Sequence, residues 1–180
     1  MSSTFCTDFG SADSNYFAIK VRSRGEVKVA TMLRDKGHQV LLPTYEVHLR
    51  YSDRIKRRQC ALFPGYLFAR LEKESLLSLV STEGVNYIVR NGSSFLPLSD
   101  VETQAVIALS QRVNRACEPC LPIAVGERVR ITRGVFAGLT GKLDSAQGRD
   151  SVVIAIDSLC QAVRLDVERD AISREVEVTT

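Results

Sequence analysis

The run Phe63-Pro64-Gly65-Tyr66-Leu67-Phe68 sets a turn directly against a strand. The Pro-Gly step interrupts regular structure, and the apolar residues from Gly65 to Leu71 then continue as one strongly apolar strand. Strand side chains alternate, so Tyr66 and Phe68 share one face and Leu67 takes the other. Rings at Phe63, Tyr66 and Phe68 around such a step admit two readings: they fill a core, or they form a docking patch for another protein.

On the amino-terminal side, Tyr16 to Arg22 is aromatic and β-branched and reads as a strand. Ser23-Arg24-Gly25-Glu26 has the Ser-x-x-Glu form of a capping box and predicts a helix opening there. Val27, Ala30 and Leu33 recur at helical spacing, Val29 and Met32 widen the apolar face, and Gly37 stands where a left-handed residue ends a helix. His38 to Leu42 reads as a strand stopped by Pro43, and Tyr45 to Tyr51 with Arg57 to Leu62 read as a hairpin.

On the carboxy-terminal side the pattern predicts a short helix around Ser75 to Val80, ending near Gly84, and a strand from Val85 to Arg90. A second box, Ser99-Asp100-Val101-Glu102, opens a helix with Val101, Ala105, Ala108 and Leu109 on one face. These elements make an α+β sandwich. Residues 114–122, with Pro119 and Pro122, read as an interdomain linker. Beyond it, Glu127–Thr132, Leu139–Leu143, Ser151–Ile156 and Ala162–Val167 are short alternating runs between turns, the pattern of a small antiparallel barrel. Residues 1–14 carry no apolar periodicity and read as a disordered arm.

The chain of 180 residues, 44% hydrophobic, can bury one medium core or two small ones without metal or disulfide staples. Long apolar runs are absent and Met1 to Asp8 has no basic leader, so a cytoplasmic location is expected. Cys6, Cys60, Cys117, Cys120 and Cys160 suit reduced thiols, and the close pair Cys117 and Cys120 lacks the second pair that a structural zinc site uses. No metal or cofactor is expected. The net charge is +3, and residues 1–113 carry 15 Lys or Arg against 11 Asp or Glu, while residues 121–180 carry 8 against 9. Phosphate binding therefore belongs to the first half, and the second half suits a protein partner. Arg50, Arg54, Lys56, Arg57 and Arg58 on the hairpin, with Arg22 and Arg24 at the strand-helix turn, are the candidate nucleic-acid contacts; a solvated charged loop is the other reading. Neither histidine sits in a catalytic motif and no phosphate-binding glycine loop occurs, so enzyme activity is not expected.

Phe63-Pro64-Gly65-Tyr66, followed by Gly126-Glu127-Arg128-Val129-Arg130-Ile131 and Gly134-Val135-Phe136-Ala137-Gly138-Leu139-Thr140-Gly141, resembles the signature of the NusG family of transcription elongation factors. The resemblance spans residues 15–174. It implies an amino-terminal NusG domain at 15–113, an α+β sandwich with an antiparallel sheet, and an all-β KOW barrel of SH3-like form at 123–180. It also implies a factor that holds the RNA polymerase clamp and suppresses pausing or termination. By this resemblance Phe63, Pro64, Gly65 and Tyr66 contact polymerase, with Ile88 and Tyr16 in the same patch. Arg22, Arg24, Arg54, Lys56, Arg57 and Arg58 would contact the non-template DNA strand. Phe136, plugging the barrel or exposed, and Leu159 would meet a barrel partner such as a small-subunit ribosomal protein or Rho. The three glycines Gly134, Gly138 and Gly141 would permit tight turns.

Where the family presents an aromatic anchor in a late barrel loop, this chain has Asp157, and Trp is absent from its first strand. Both departures point to a specialised paralogue of the RfaH or UpxY kind, acting on particular operons. The His-Thr-Thr element of RfaH has no counterpart in Glu74-Ser75-Leu76-Leu77-Ser78. A ribosome-associated RNA-binding protein is the alternative function, since KOW motifs occur there too; the near-neutral second half argues against it.

Overall fold

The computed structural model describes residues 16–50, 55–72, 75–111, 117–120, 126–134, 136–144 and 151–174, the side chains of 49, 50 and 56 excepted. In chain order the elements are β1 (Tyr16–Val21), α1 (Glu26–Asp35), β2 (Val40–Leu41), β3 (Thr44–Arg50), β4 (Ile55–Ala61), β5 (Tyr66–Arg70), α2 (Leu76–Val80), β6 (Val85–Ile88), β7 (Arg90–Asn91) and β8 (Ser94–Phe95). There follow α3 (Asp100–Ser110), β9 (Cys117–Cys120), β10 (Arg128–Ile131), β11 (Thr140–Asp144), β12 (Ser151–Ile156), β13 (Gln161–Asp166) and β14 (Ile172–Arg174). They gather into two compact units: one holds the described residues of 1–42 and 65–99, the other those of 43–64 and 100–180.

The first unit is built on an antiparallel sheet of order β2-β5-β1-β6. Tyr16 pairs with Arg70, Ala18 with Phe68 and Lys20 with Tyr66, so these six share a face; Phe17 with Ala69 and Ile19 with Leu67 occupy the other. Both faces are dry at the centre, with Ile19, Leu67 and Phe68 fully buried. α1 buries Val29, Ala30 and Leu33, whereas Val27, expected on that face, is 47% exposed. Gly37 has φ +87° and its N–H reaches the Arg34 carbonyl, the helix end its sequence predicts. The expected capping box at Ser23 is not formed. Gly25 is the N-cap without a side-chain bond, and Glu26 turns away to a distant partner.

The second unit holds the β3–β4 hairpin, α3 and a six-stranded antiparallel sheet of order β14-β10-β11-β12-β13-β9. Alternation places Val129, Ile131, Val152, Ile154, Ile156, Val163 and Leu165 inward, all buried. Residues on the opposite side of β12 and β13, Val153 and Ala162, are buried as well. α3 packs against β12, and Glu102 Oε1 accepts the backbone N–H of Ser158 at 3.5 Å. The helix buries Ala105, Val106 and Leu109; Val101, expected on that face, is 62% exposed.

The linker reading of 114–122 needs correction at its centre. Cys117–Cys120 forms β9, pairing with β13 so that Glu118 faces Arg164 and Pro119 faces Val163. An edge strand tolerates proline because one side of its backbone needs no donor. Arg164 reaches across β12 to Asp144 of β11 at 2.8 Å and lies 3.6 Å from Glu118 of the adjoining β9.

Candidate functional site

The Pro-Gly turn is held from both sides. Gly65 has φ +80°, its N–H donates to Glu26 Oε1 at 2.8 Å, and its carbonyl accepts the Val21 N–H at 2.9 Å. A side chain at this position would lie 2.8 Å from Lys20 Nζ. That ammonium sits over the Tyr66 ring, 4.0 Å from its centroid, a cation–π arrangement at the end of the sheet. Tyr66 is half-buried, and Tyr87, which pairs with Lys20 across β1 and β6, is 54% exposed beside it. Lys20, Tyr66 and Tyr87 therefore form one accessible face.

The other candidates divide. Pro64 is exposed and its carbonyl accepts from Gln161 Nε2 at 3.3 Å. Tyr16 is half-buried at the far end of β1. Phe63 is 1% exposed and Ile88 3%, so neither ring nor branched chain is presented to a partner: both are core residues. Ile88 pairs with Ile19, and alternation turns it away from the Tyr66 face. Tyr87 takes the place expected of Ile88, and no spacing rule identifies it without the register.

Arg22 and Arg24 are exposed, and the structure adds Lys28 to them around a cavity of about 380 Å³ that Asn86 and Glu83 also line. Arg22 N–H donates to the Gly84 carbonyl at 2.8 Å, which brings the β6 approach against the start of α1, and Arg24 adopts φ +65° to make the turn. On the hairpin Arg57 and Arg58 are exposed, Arg57 lying 4.0 Å from Glu46, which also contacts His48 at 2.5 Å. Arg54 and the side chains of Arg50 and Lys56 lie outside the described residues.

In the barrel Phe136 is 4% exposed between Gly134 and Gly138, and Leu159 is 8% exposed. Both fill the interior, which corrects their reading as partner contacts; Asp157 at the same turn as Leu159 is exposed. Gly141 lies within β11 rather than in a turn.

Residues 14–107 match the family model described as transcription termination factor nusG. The chain belongs to the NusG family. The NusG of Thermus thermophilus is 31% identical over 147 residues, covering 74% of this chain and 80% of that protein. The NusG of Escherichia coli K12 is 26% identical over 166 residues, covering 84% and 92%. Each is named a transcription termination/antitermination protein. The solved structure of Thermotoga maritima NusG shares the fold at a TM-score of 0.56 and 17% identity, covering 89% of this chain and 96% of that one. An α+β NusG amino-terminal fold followed by a β-rich KOW barrel is thus the architecture of this chain.

Among the described residues of this NusG-family chain no cluster of three metal-binding side chains occurs, and no helix is long and apolar enough to cross a membrane. Burial pushes the Cys117 thiol up to about 12, with Asp166 adding to it, and burial likewise raises Cys120. Burial raises the Tyr45 phenol and lowers His38, whose Nε2 lies 3.3 Å from Ser78 Oγ. Cys117 and Cys120 stand three residues apart on an extended strand, on opposite faces and roughly 10 Å apart, too far for a disulfide. Alkylation at pH 8 is expected to label the exposed Cys160 and leave Cys117 unmodified in the folded protein, read by peptide mass spectrometry. Equal labelling of the two would contradict the placement of β9.

Proposed function

We propose that this chain binds RNA polymerase through the Lys20, Tyr66 and Tyr87 face and suppresses pausing or termination. The observation that carries this is the division of the three rings in the turn: Phe63 and Phe68 are buried, while Tyr66 keeps an accessible edge with Lys20 over its face. Tyrosine gives a large, rigid contact at small entropic cost, the residue type that dominates interfaces. The partner is the polymerase clamp, and the action is a shift of population: a ligand that prefers the closed clamp shortens the time spent paused. Neither covalent chemistry nor a cofactor enters.

The cavity of Arg22, Arg24 and Lys28 supports a second contact, with the phosphates of the non-template DNA strand, and exposed Arg57 and Arg58 offer further positive charge. The barrel would recruit a ribosomal protein or Rho, and the exposed Asp157 favours an operon-restricted role over the general one. The test is binding of the purified chain to a reconstituted elongation complex, with pause lifetimes read on the same template. Tight binding with shortened pauses is expected; no binding, or binding to free RNA alone, would overturn the reading. Changing Arg22, Arg24 and Lys28 together to alanine is expected to lower the slope of log affinity against log salt by about 2, the value for three phosphate contacts on a single strand. An unchanged slope would remove the cavity from the interface.

A further inference from the structure

Glu26 is buried, 7% exposed, at the first position of α1. Its position near the helix start favours a carboxylate, yet the local use of that carboxylate, a capping box with Ser23, is not made. Its Oε1 instead accepts, across 39 residues of sequence, the N–H of Gly65. A carboxylate withdrawn from water is costly to keep, and an ionised acceptor makes a stronger bond to a backbone N–H than a neutral one. The residue so gripped lies immediately before Tyr66.

The same turn is gripped again at its carbonyl by Val21, so one strand-helix junction, Val21 to Glu26, holds both ends of residue 65. Lys20, the neighbour of Val21, lies against that glycine and over the Tyr66 ring. The position of the ring, the ammonium above it and the turn below are thus one geometry, fixed at the turn by Glu26. We propose that Glu26 is a positioning residue for the polymerase-binding face, holding Tyr66 and Lys20 in their binding arrangement before the partner arrives. This rests on the docking role proposed above for Tyr66. A preorganised ring avoids the ordering cost that a loose one meets on binding, so the carboxylate contributes to affinity without touching the partner.

The test uses the full chain as Glu26→Ala, Glu26→Gln, Glu26→Asp and Tyr66→Ala. The direct readout is the ring-current displacement of the Lys20 side-chain methylene signals by Tyr66 in NMR; the second is affinity for the elongation complex. Glu26→Ala is expected to remain folded, lose the displacement and bind about tenfold more weakly. Glu26→Gln, which keeps the acceptor oxygen, is expected to retain the displacement and bind within about threefold of the parent. Glu26→Asp keeps the helix-start charge but falls short of Gly65, so it should lose the displacement with its helices intact, and it replaces the alanine variant should that one not fold. Retention of both displacement and affinity in folded Glu26→Ala or Glu26→Asp overturns the proposal, as does equal loss in Glu26→Gln. If Tyr66→Ala binds normally while Glu26→Ala loses the displacement, the docking role fails and the positioning geometry stands. If Tyr66→Ala loses affinity while the Glu26 variants keep it, the reverse holds.

Discussion

Tyr66→Ala is expected to weaken binding to the elongation complex by roughly thirtyfold or more, the scale of an interface hot spot, while leaving the melting temperature nearly unchanged. Tyr66 is the first residue of β5, half-buried, and its ring contacts Lys20 on an open face. Truncation removes contact area and the cation–π partner without opening a core cavity. Phe63→Ala should behave in the opposite way. That ring is 1% exposed, so its loss is expected to cost about 3 to 5 kcal/mol of stability. Any loss of binding by the phenylalanine variant should then follow its unfolded fraction. Calorimetry or denaturant melts beside the binding titration separate the two. Should Tyr66→Ala bind as the parent does while folded, the accessible end of the sheet is not the polymerase contact.

The contrast between these two rings also marks what the sequence carries. Alternation along residues 66–68 is legible in it, as are the helix stop at Gly37 and the strand Ser151–Ile156, because each depends on periods and backbone preferences written locally. The accessible face is only partly legible. Tyr66 can be read from its motif, but Ile88 is expected in its patch where Tyr87 stands, since which of two adjacent residues shares the Tyr66 side of the sheet depends on pairing with Lys20 and Ile19. Glu26 matches a local capping pattern and is claimed by a partner 39 residues away, a tertiary hydrogen bond overriding a local one. Lys28 and Asn86 join Arg22 and Arg24 only because the Arg22 N–H meets the Gly84 carbonyl and folds two distant segments around one cavity. Cys117–Cys120 lacks any strand period, and its β structure comes from the free edge of β13 rather than from its own residues.

Gly141→Ala is expected to destabilise the barrel by about 3 kcal/mol, and Gly141→Val to prevent its folding. The reason is space rather than backbone freedom. Gly141 lies in β11 opposite Val129, and a Cβ there would stand 2.6 Å from both Val152 Cγ1 and the Val153 carbonyl oxygen. A valine side chain can rotate away, but a strand carbonyl bonded into a sheet cannot, so even one methyl must part β11 from β12. Those strands carry Val152 and Ile154, central to the interior, so the displacement spreads through a core with little margin. Gly134 and Gly138 make the controls. They have φ +79° and +94° with nothing within 4 Å of an added methyl, so alanine at either should cost about 1 kcal/mol, the left-handed penalty alone. Denaturant titration followed through barrel NMR signals orders the three variants. Were Gly141→Ala to melt with the two turn variants, β11 and β12 would not approach as closely as the structure places them, and the inward packing assigned to the barrel would have to be redrawn.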